Sequence, residues 1–131
     1  MGETFILGPI LFIMKHLDFI SRLLFAIPML LSGFFHFTKY NVVTRTVPTY
    51  MPFKEIWAYV TGIGFILAAI SIILGKKTRL GAGLLGLMLF LFAFLIHFKG
   101  FLRGVPLASS WFIRDVALAG GAFYIASKAK D

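Results

Sequence analysis

A chain of 131 residues that is 60% hydrophobic and only 14% charged has too small an interior to hide its apolar side chains from water, which excludes an ordinary soluble globule. Its mean hydropathy of +0.93 turns the excess toward lipid, and its length suits one all-α domain, residues 1–131, built as a transmembrane bundle of about four helices. The lack of cysteine excludes disulfides and thiol chemistry. The net charge of +8 is scattered among the junctions between apolar runs, a pattern that fits anchoring to the headgroups of a lipid bilayer and argues against nucleic acid.

The first apolar stretch, Phe5 to Met14 with Pro9, is preceded by a single charge, Glu3. A cleaved secretory signal would need basic residues there, so none is expected. The stretch is too short to span alone and either lies in the membrane interface or extends the first helix. Between Arg22 and Lys39 lie about 16 residues, so the first span is placed at about 18–38, with Arg22 snorkelling from a helix end. Pro28 falls inside it and should kink the helix, freeing the carbonyl of Leu24.

The connection from Tyr40 to Met51, closed by Pro52, is the longest and reads as an ordered cap. The second span, about 54–75, is opened by Pro52 and Glu55 and closed by Gly75 with Lys76, Lys77 and Arg79. That short basic turn forces an antiparallel neighbour, the third span at about 79–98. Its uncharged core, Leu80 to Phe98, is about 19 residues and covers about 28 Å at 1.5 Å per residue.

In the fourth span the charge-free run from Val116 to Ser127 is about 12 residues, too short to cross. The span must reach back to about Ser109, giving 109–127 and carrying Arg114 and Asp115 roughly 9 Å into the helix. Small residues recur four apart at Ala58 and Gly62, Gly64 and Ala68, Ala82 and Gly86, Ala117 and Gly121, and Ala122 and Ala126. They predict close helix approach within the bundle in preference to a dedicated dimer seam.

Four crossings put both termini and the Lys76 to Arg79 turn on one side. That side holds Lys15, Arg22, Lys76, Lys77, Arg79, Lys128 and Lys130; the other holds Lys39, Arg45, Lys54, Lys99, Arg103 and Arg114. The dense basic turn favours cytoplasmic termini in a multi-pass cell-membrane protein.

The same threading gathers polar residues at one end: His36 and Lys39, Glu55 and Tyr59, His97 and Lys99, and Trp111, Arg114 and Asp115. Ionisable groups inside a membrane are expensive and usually face a partner or a cavity. The candidate ligand-binding or polar layer is therefore His36, Glu55, Tyr59, His97, Trp111, Arg114 and Asp115. Plainer roles exist for several: Glu55 complements a helix dipole, Trp111 joins an aromatic belt with Trp57 and Tyr50, and Lys39 and Lys99 anchor helix ends. Two histidines without a third ligand point to core hydrogen bonds in place of metal. Neighbours on a helix diverge by about 100°, so Arg114 and Asp115 are expected to reach different partners: Glu55 for Arg114, and His36 or His97 for Asp115. No P-loop, dinucleotide fingerprint, HExxH or nucleophile elbow is present, and no catalytic residue is assigned.

The runs SRLLFAIPMLLSGFFHF, VPTYMPFKEIWAYVTGIGFILAAISIILGKKTRLGAGLLGLMLFLFAFLIHF and IRDVALAGGAFYIA together resemble the DoxX-like family of small four-helix membrane proteins, over about Asp18 to Ala126. The most distinctive marks are the turn from Gly75 to Arg79, the ending Leu95-Ile96-His97, and Arg114-Asp115 with Gly120-Gly121. The resemblance implies a link to quinone or to redox complexes of the membrane. Many family members carry an acidic residue within helix two, whereas Gly62 to Leu67 has none here. Three expectations follow. The first is an auxiliary, non-catalytic subunit engaging a membrane protein partner or a second copy. The second is a binding module for a quinone, lipid or other small apolar molecule at the polar end. The third is an ion or proton pathway, ranked last because the interiors of helices two and three offer only Thr61, Ser71 and glycines.

Overall fold

A computed structural model describes residues 2–131, so Met1, included in the single-domain expectation, lies outside the described residues. The described chain is helical, with no strand: α1 (Gly2–Thr38), α2 (Tyr40–Thr46), α3 (Lys54–Leu74), α4 (Thr78–Phe92), a π-turn (Ala93–His97), α5 (Phe98–Leu102) and α6 (Pro106–Lys128). α4, the π-turn and α5 run on as one 25-residue rod.

The open choice for residues 5–14 resolves toward helix extension. α1 is continuous over 37 residues through both Pro9 and Pro28, a length of about 55 Å at 1.5 Å per residue. Among the described residues its first half is exposed throughout, Phe5, Leu11, Phe12 and Met14 included. Packing begins at Arg22 and deepens at Ala26, Met29 and Gly33.

α3 ends where its sequence signals end it. Gly75 adopts a left-handed conformation (φ 68°), and the amides of Gly75 and Lys76 both reach the Ser71 carbonyl, the pattern of a helix closed by a C-terminal glycine. Arg22 of α1 adds a cation there, with Nη1 3.5 Å from the Ile72 carbonyl oxygen, where the helix dipole is negative. Its Nε is within ion-pair distance of Asp18, at 3.5 Å, but is out of line for a hydrogen bond.

α6 starts at Pro106, three residues before the expected Ser109. Proline suits the first helical position because its missing N–H has no partner there in any helix. Asp115 is thus nine residues beyond the helix start, about 14 Å along the axis, deeper than the roughly 9 Å expected.

The shared core comes from all four long elements: Ala26 and Met29 of α1, Phe65, Ala69 and Ile72 of α3, Leu85 and Leu89 of α4, and Ala119 and Ala122 of α6. α1 packs chiefly on α3, α4 chiefly on α6, and the α3–α4 junction is looser. Small residues set the close approaches. A Cβ at Gly33 would stand 2.8 Å from the Gly62 carbonyl oxygen, and one at Gly86 would meet the Phe123 ring at 2.8 Å. α3 and the rod Thr78–Leu102 are long and apolar enough to cross a membrane, yet only 39% and 28% of their most apolar windows are buried within the fold. A soluble core helix would be mostly covered by protein; these turn broad apolar faces outward.

Candidate functional site

The polar residues at the far end of the rod separate into two groups. The inner group forms where α6 folds back on α5. The turn closes with Arg103 N donating to Lys99 O, Gly104 N to Phe101 O and Val105 N to Gly100 O, with Gly104 left-handed at φ 74°. This hairpin sets α6 alongside the π-turn and brings Asp115 to His97.

Asp115 is 2% exposed and is among the largest fully buried side chains. Its two oxygens divide between two partners. Arg114 donates from Nε at 3.1 Å and Nη2 at 2.9 Å, both to Oδ1, while Oδ2 lies 3.4 Å from His97 Nε2. The latter is ion-pair distance and long for a hydrogen bond. Trp111 stands edge-on to the His97 ring with centroids 5.3 Å apart. The expected Asp115–His97 meeting is therefore present, and the expected Asp115–His36 alternative is not.

Arg114 corrects the expectation that it would reach Glu55. The backbone directions of adjacent helical residues diverge, but the guanidinium ends a long flexible stem and folds back around the helix to its neighbour's carboxylate. Glu55 is exposed at the start of α3 and makes no ion pair among the described residues.

His36 is tied within its own helix, where Nδ1–H donates to the Ser32 carbonyl at 2.7 Å. Its ring lies 5.3 Å from that of Phe65. Tyr59 belongs to the outer group, stacked on Tyr40 at 5.1 Å and tilted against Phe37 at 5.5 Å. Partial burial, then the Glu55 carboxylate, then Tyr59 push the Tyr40 phenol above its ordinary value. The predicted layer is thus His97, Trp111, Arg114 and Asp115 together, with Glu55 and Tyr59 beside α2 and His36 on α1.

Three features escaped the sequence reading. The π-turn Ala93–His97 bears the histidine itself, and such turns are frequent at functional sites. Tyr50, in the loop between α2 and α3, donates its hydroxyl to the Leu95 carbonyl of that turn at 3.2 Å. Phe94, Phe98, Phe101 and Phe112 form an aromatic cluster beside it, with Phe112 stacked on Phe101 at 4.7 Å and edge-on to Phe94 at 5.3 Å. The spacing Phe90, Phe94, Phe98 was visible as one helix face. The π-turn leaves no comparable signature.

Chemically, the arrangement offers a buried carboxylate flanked by a guanidinium, whose side chain is 56% exposed, and by an imidazole held between it and an indole. It can brace two helices, and it can present cation, imidazole and aromatic faces to a planar polar-ended molecule.

A family model described as DoxX matches residues 17–98. The match ends one residue after His97, so α6 with Arg114 and Asp115 lies beyond it. No curated relative and no solved structure matches the chain.

Proposed function

The chain belongs to the DoxX family, and on that premise we propose that it is a multi-pass membrane protein serving as a non-catalytic, auxiliary subunit of a redox-linked membrane complex. In this reading α1, α3, the rod Thr78–Leu102 and α6 cross the bilayer as a four-helix bundle, with both termini cytoplasmic. The observation that supports it most is the internal completion of the Arg114–Asp115–His97 cluster. Its buried carboxylate is spent on holding α6 to the rod, while the outer faces of the helices stay apolar and open to lipid or to a partner. A buried carboxylate already matched by two partners is a brace more readily than a proton donor or a nucleophile.

A second reading has its own support. Trp111 edge-on to His97, beside the exposed Arg114 guanidinium and the Phe94–Phe112 cluster, suits a quinone or another flat apolar molecule with a polar rim. Purification in mild detergent separates the two. A protein retained at fixed stoichiometry supports the subunit role. An organic extract containing quinone, lost from His97→Ala, supports the binding module. Recovery of neither from the folded protein would sink both.

A further inference from the structure

The opposite end of the molecule carries a feature that neither reading uses. Along the looser junction between α3 and α4 runs a groove of about 310 Å³, whose walls include Gly64, Leu67 and Ser71 of α3 and Leu84 and Met88 of α4, with Lys77 at its mouth. We propose that this groove is a site for one anionic glycerophospholipid, an acyl chain lying along it and the phosphate held at Lys77 and Lys76.

Length, charge and position point the same way. From Lys77 to Met88 is 11 residues, about 16 Å of helix, close to the roughly 15 Å that one leaflet contributes to a hydrocarbon core of about 30 Å. The walls are apolar and uncovered: Leu67 is 62% exposed and Leu84 57%. Gly64 leaves room, since even an added Cβ would meet only the end of the Met88 side chain, Sδ at an ordinary 3.4 Å and Cε at 3.7 Å. The groove lies between the two helical segments that qualify by length and composition as membrane spans, so its long axis follows the direction of lipid tails.

The headgroup end is built from the turn. Lys77 is left-handed (φ 53°) and its carbonyl accepts from Ser71 Oγ at 3.1 Å. With Thr78 Oγ1 donating to the Ser71 carbonyl at 3.3 Å, that bond ties the turn to the end of α3. Among the described residues no carboxylate lies within ion-pair distance of Lys76 or Lys77. Arg79 faces the other way, its Nη2 donating to the Ala129 carbonyl at 2.8 Å, and Asp131 sits with it on the far side of Leu80 and Leu84. The Lys77 ammonium at the end of an apolar groove, with that of Lys76 next to it in the turn, complements a phosphate diester with a further negative headgroup, and a zwitterionic headgroup matches the pair less well. The site needs only the α3–α4 hairpin to cross the bilayer and is independent of any subunit role at the His97 end.

The test is native mass spectrometry of the delipidated full-length protein in mild detergent, titrated with phosphatidylglycerol or with phosphatidylcholine of the same chains. One phosphatidylglycerol should be retained, at least about five-fold more tightly than phosphatidylcholine, the effect of one basic residue at an anionic surface. Lys77→Asn, which tolerates a left-handed backbone, should weaken phosphatidylglycerol roughly five-fold and leave phosphatidylcholine unchanged. Leu67→Trp, filling the groove, should weaken both. Met88→Trp does the same from the deep end, should Leu67→Trp fail to fold by circular dichroism. Equal binding of the two lipids, or phosphatidylglycerol binding untouched by the variants, would overturn the site. So would a dimer that excludes lipid and dissociates on Leu67→Trp, which would give the groove to a second copy.

Discussion

The carboxylate of Asp115 and the imidazole of His97 stand 3.4 Å apart at the point where α6 crosses the π-turn. Oδ2 faces the ring and Oδ1 takes both donors of Arg114, so the buried charge is matched on both sides. Its two sides are unequal, however, because His97 is 12% exposed in its side chain and Arg114 is 56% exposed. Removing Arg114 would strand a buried carboxylate without its two hydrogen-bonded donors, at about 3–5 kcal/mol, whereas removing Asp115 strands only an imidazole and a guanidinium that water already reaches. Arg114→Ala should therefore destabilise the fold by roughly 2–4 kcal/mol, and Asp115→Ala by less, about 1–2 kcal/mol. Unfolding in detergent followed by circular dichroism measures both. A loss on Arg114→Ala smaller than that on Asp115→Ala would mean that the histidine, not the arginine, is the partner that matters.

The α1–α3 crossing supplies a second prediction. A Cβ at Gly33 would lie 2.6 Å from Ile66 Cγ1 and 2.8 Å from the Gly62 carbonyl, and one at Gly62 would lie 2.9 Å from both His36 Cβ and Phe37. Backbone cannot yield as a side chain does, so Gly33→Ala should force the helices apart, a loss of about 1–3 kcal/mol. Gly120→Ala meets nothing within 4 Å and should stabilise α6 by up to about 1 kcal/mol through helix propensity alone. Opposite signs in the two melting temperatures are expected; a matching sign would remove the crossing as the explanation.

Which parts of this arrangement could be read from the chain depended on whether the signal was local. The ends of α3 and the start of α4 were legible because Pro52, Gly75 and the basic turn act within a few residues. The extension of α1 was not, since Phe5 to Met14 is equally compatible with an interfacial segment by composition. The start of α6 was misplaced by three residues because counting apolar residues outweighed Pro106, which is itself a start signal. At the site, the Asp115–His97 contact followed from antiparallel threading, which puts the end of one helix beside the start of the next. The Arg114–Asp115 pair was missed because Cβ directions were weighed and side-chain reach was not. The π-turn was invisible, since nothing in the residue types of Ala93–His97 distinguishes a single i→i+5 turn from the helix that runs into it.

Tyr50 ties the loop between α2 and α3 to that turn through one hydrogen bond, from its hydroxyl to the Leu95 carbonyl. Tyr50 is 61% exposed, so the stability at stake is small, about 0.5–1.5 kcal/mol. The larger effect of Tyr50→Phe should be local opening, because the loop has few other ties and would exchange more freely than the core. Hydrogen exchange should quicken in residues 48–53 and 94–98, with residues 65–72 unchanged. Uniform exchange across the protein would instead indicate that the hydroxyl supports the whole fold.

The threading proposed for the four long helices makes the sides of the connecting turns a sharp test. Each crossing reverses the side of the chain, so an even number returns the C-terminus to the side of the N-terminus, along with the Lys76–Lys77 turn, and leaves the Arg103–Gly104 turn opposite. The chain has no cysteine, so Lys76→Cys, Arg103→Cys and Lys130→Cys each introduce a single reporter at an exposed position. With an impermeant maleimide on intact cells, Arg103→Cys should label, while Lys76→Cys and Lys130→Cys should label only after permeabilisation. Lys76→Cys and Lys130→Cys on opposite sides would rule out two crossings between them. The charge bias behind this orientation is slight, since both sides carry many basic residues and the turn Lys76, Lys77, Arg79 tips the balance. Neutralising that turn with Lys76→Gln and Lys77→Gln should accordingly give mixed labelling at Arg103→Cys. An orientation that survives the double change would have to be set by the charges flanking α1 instead.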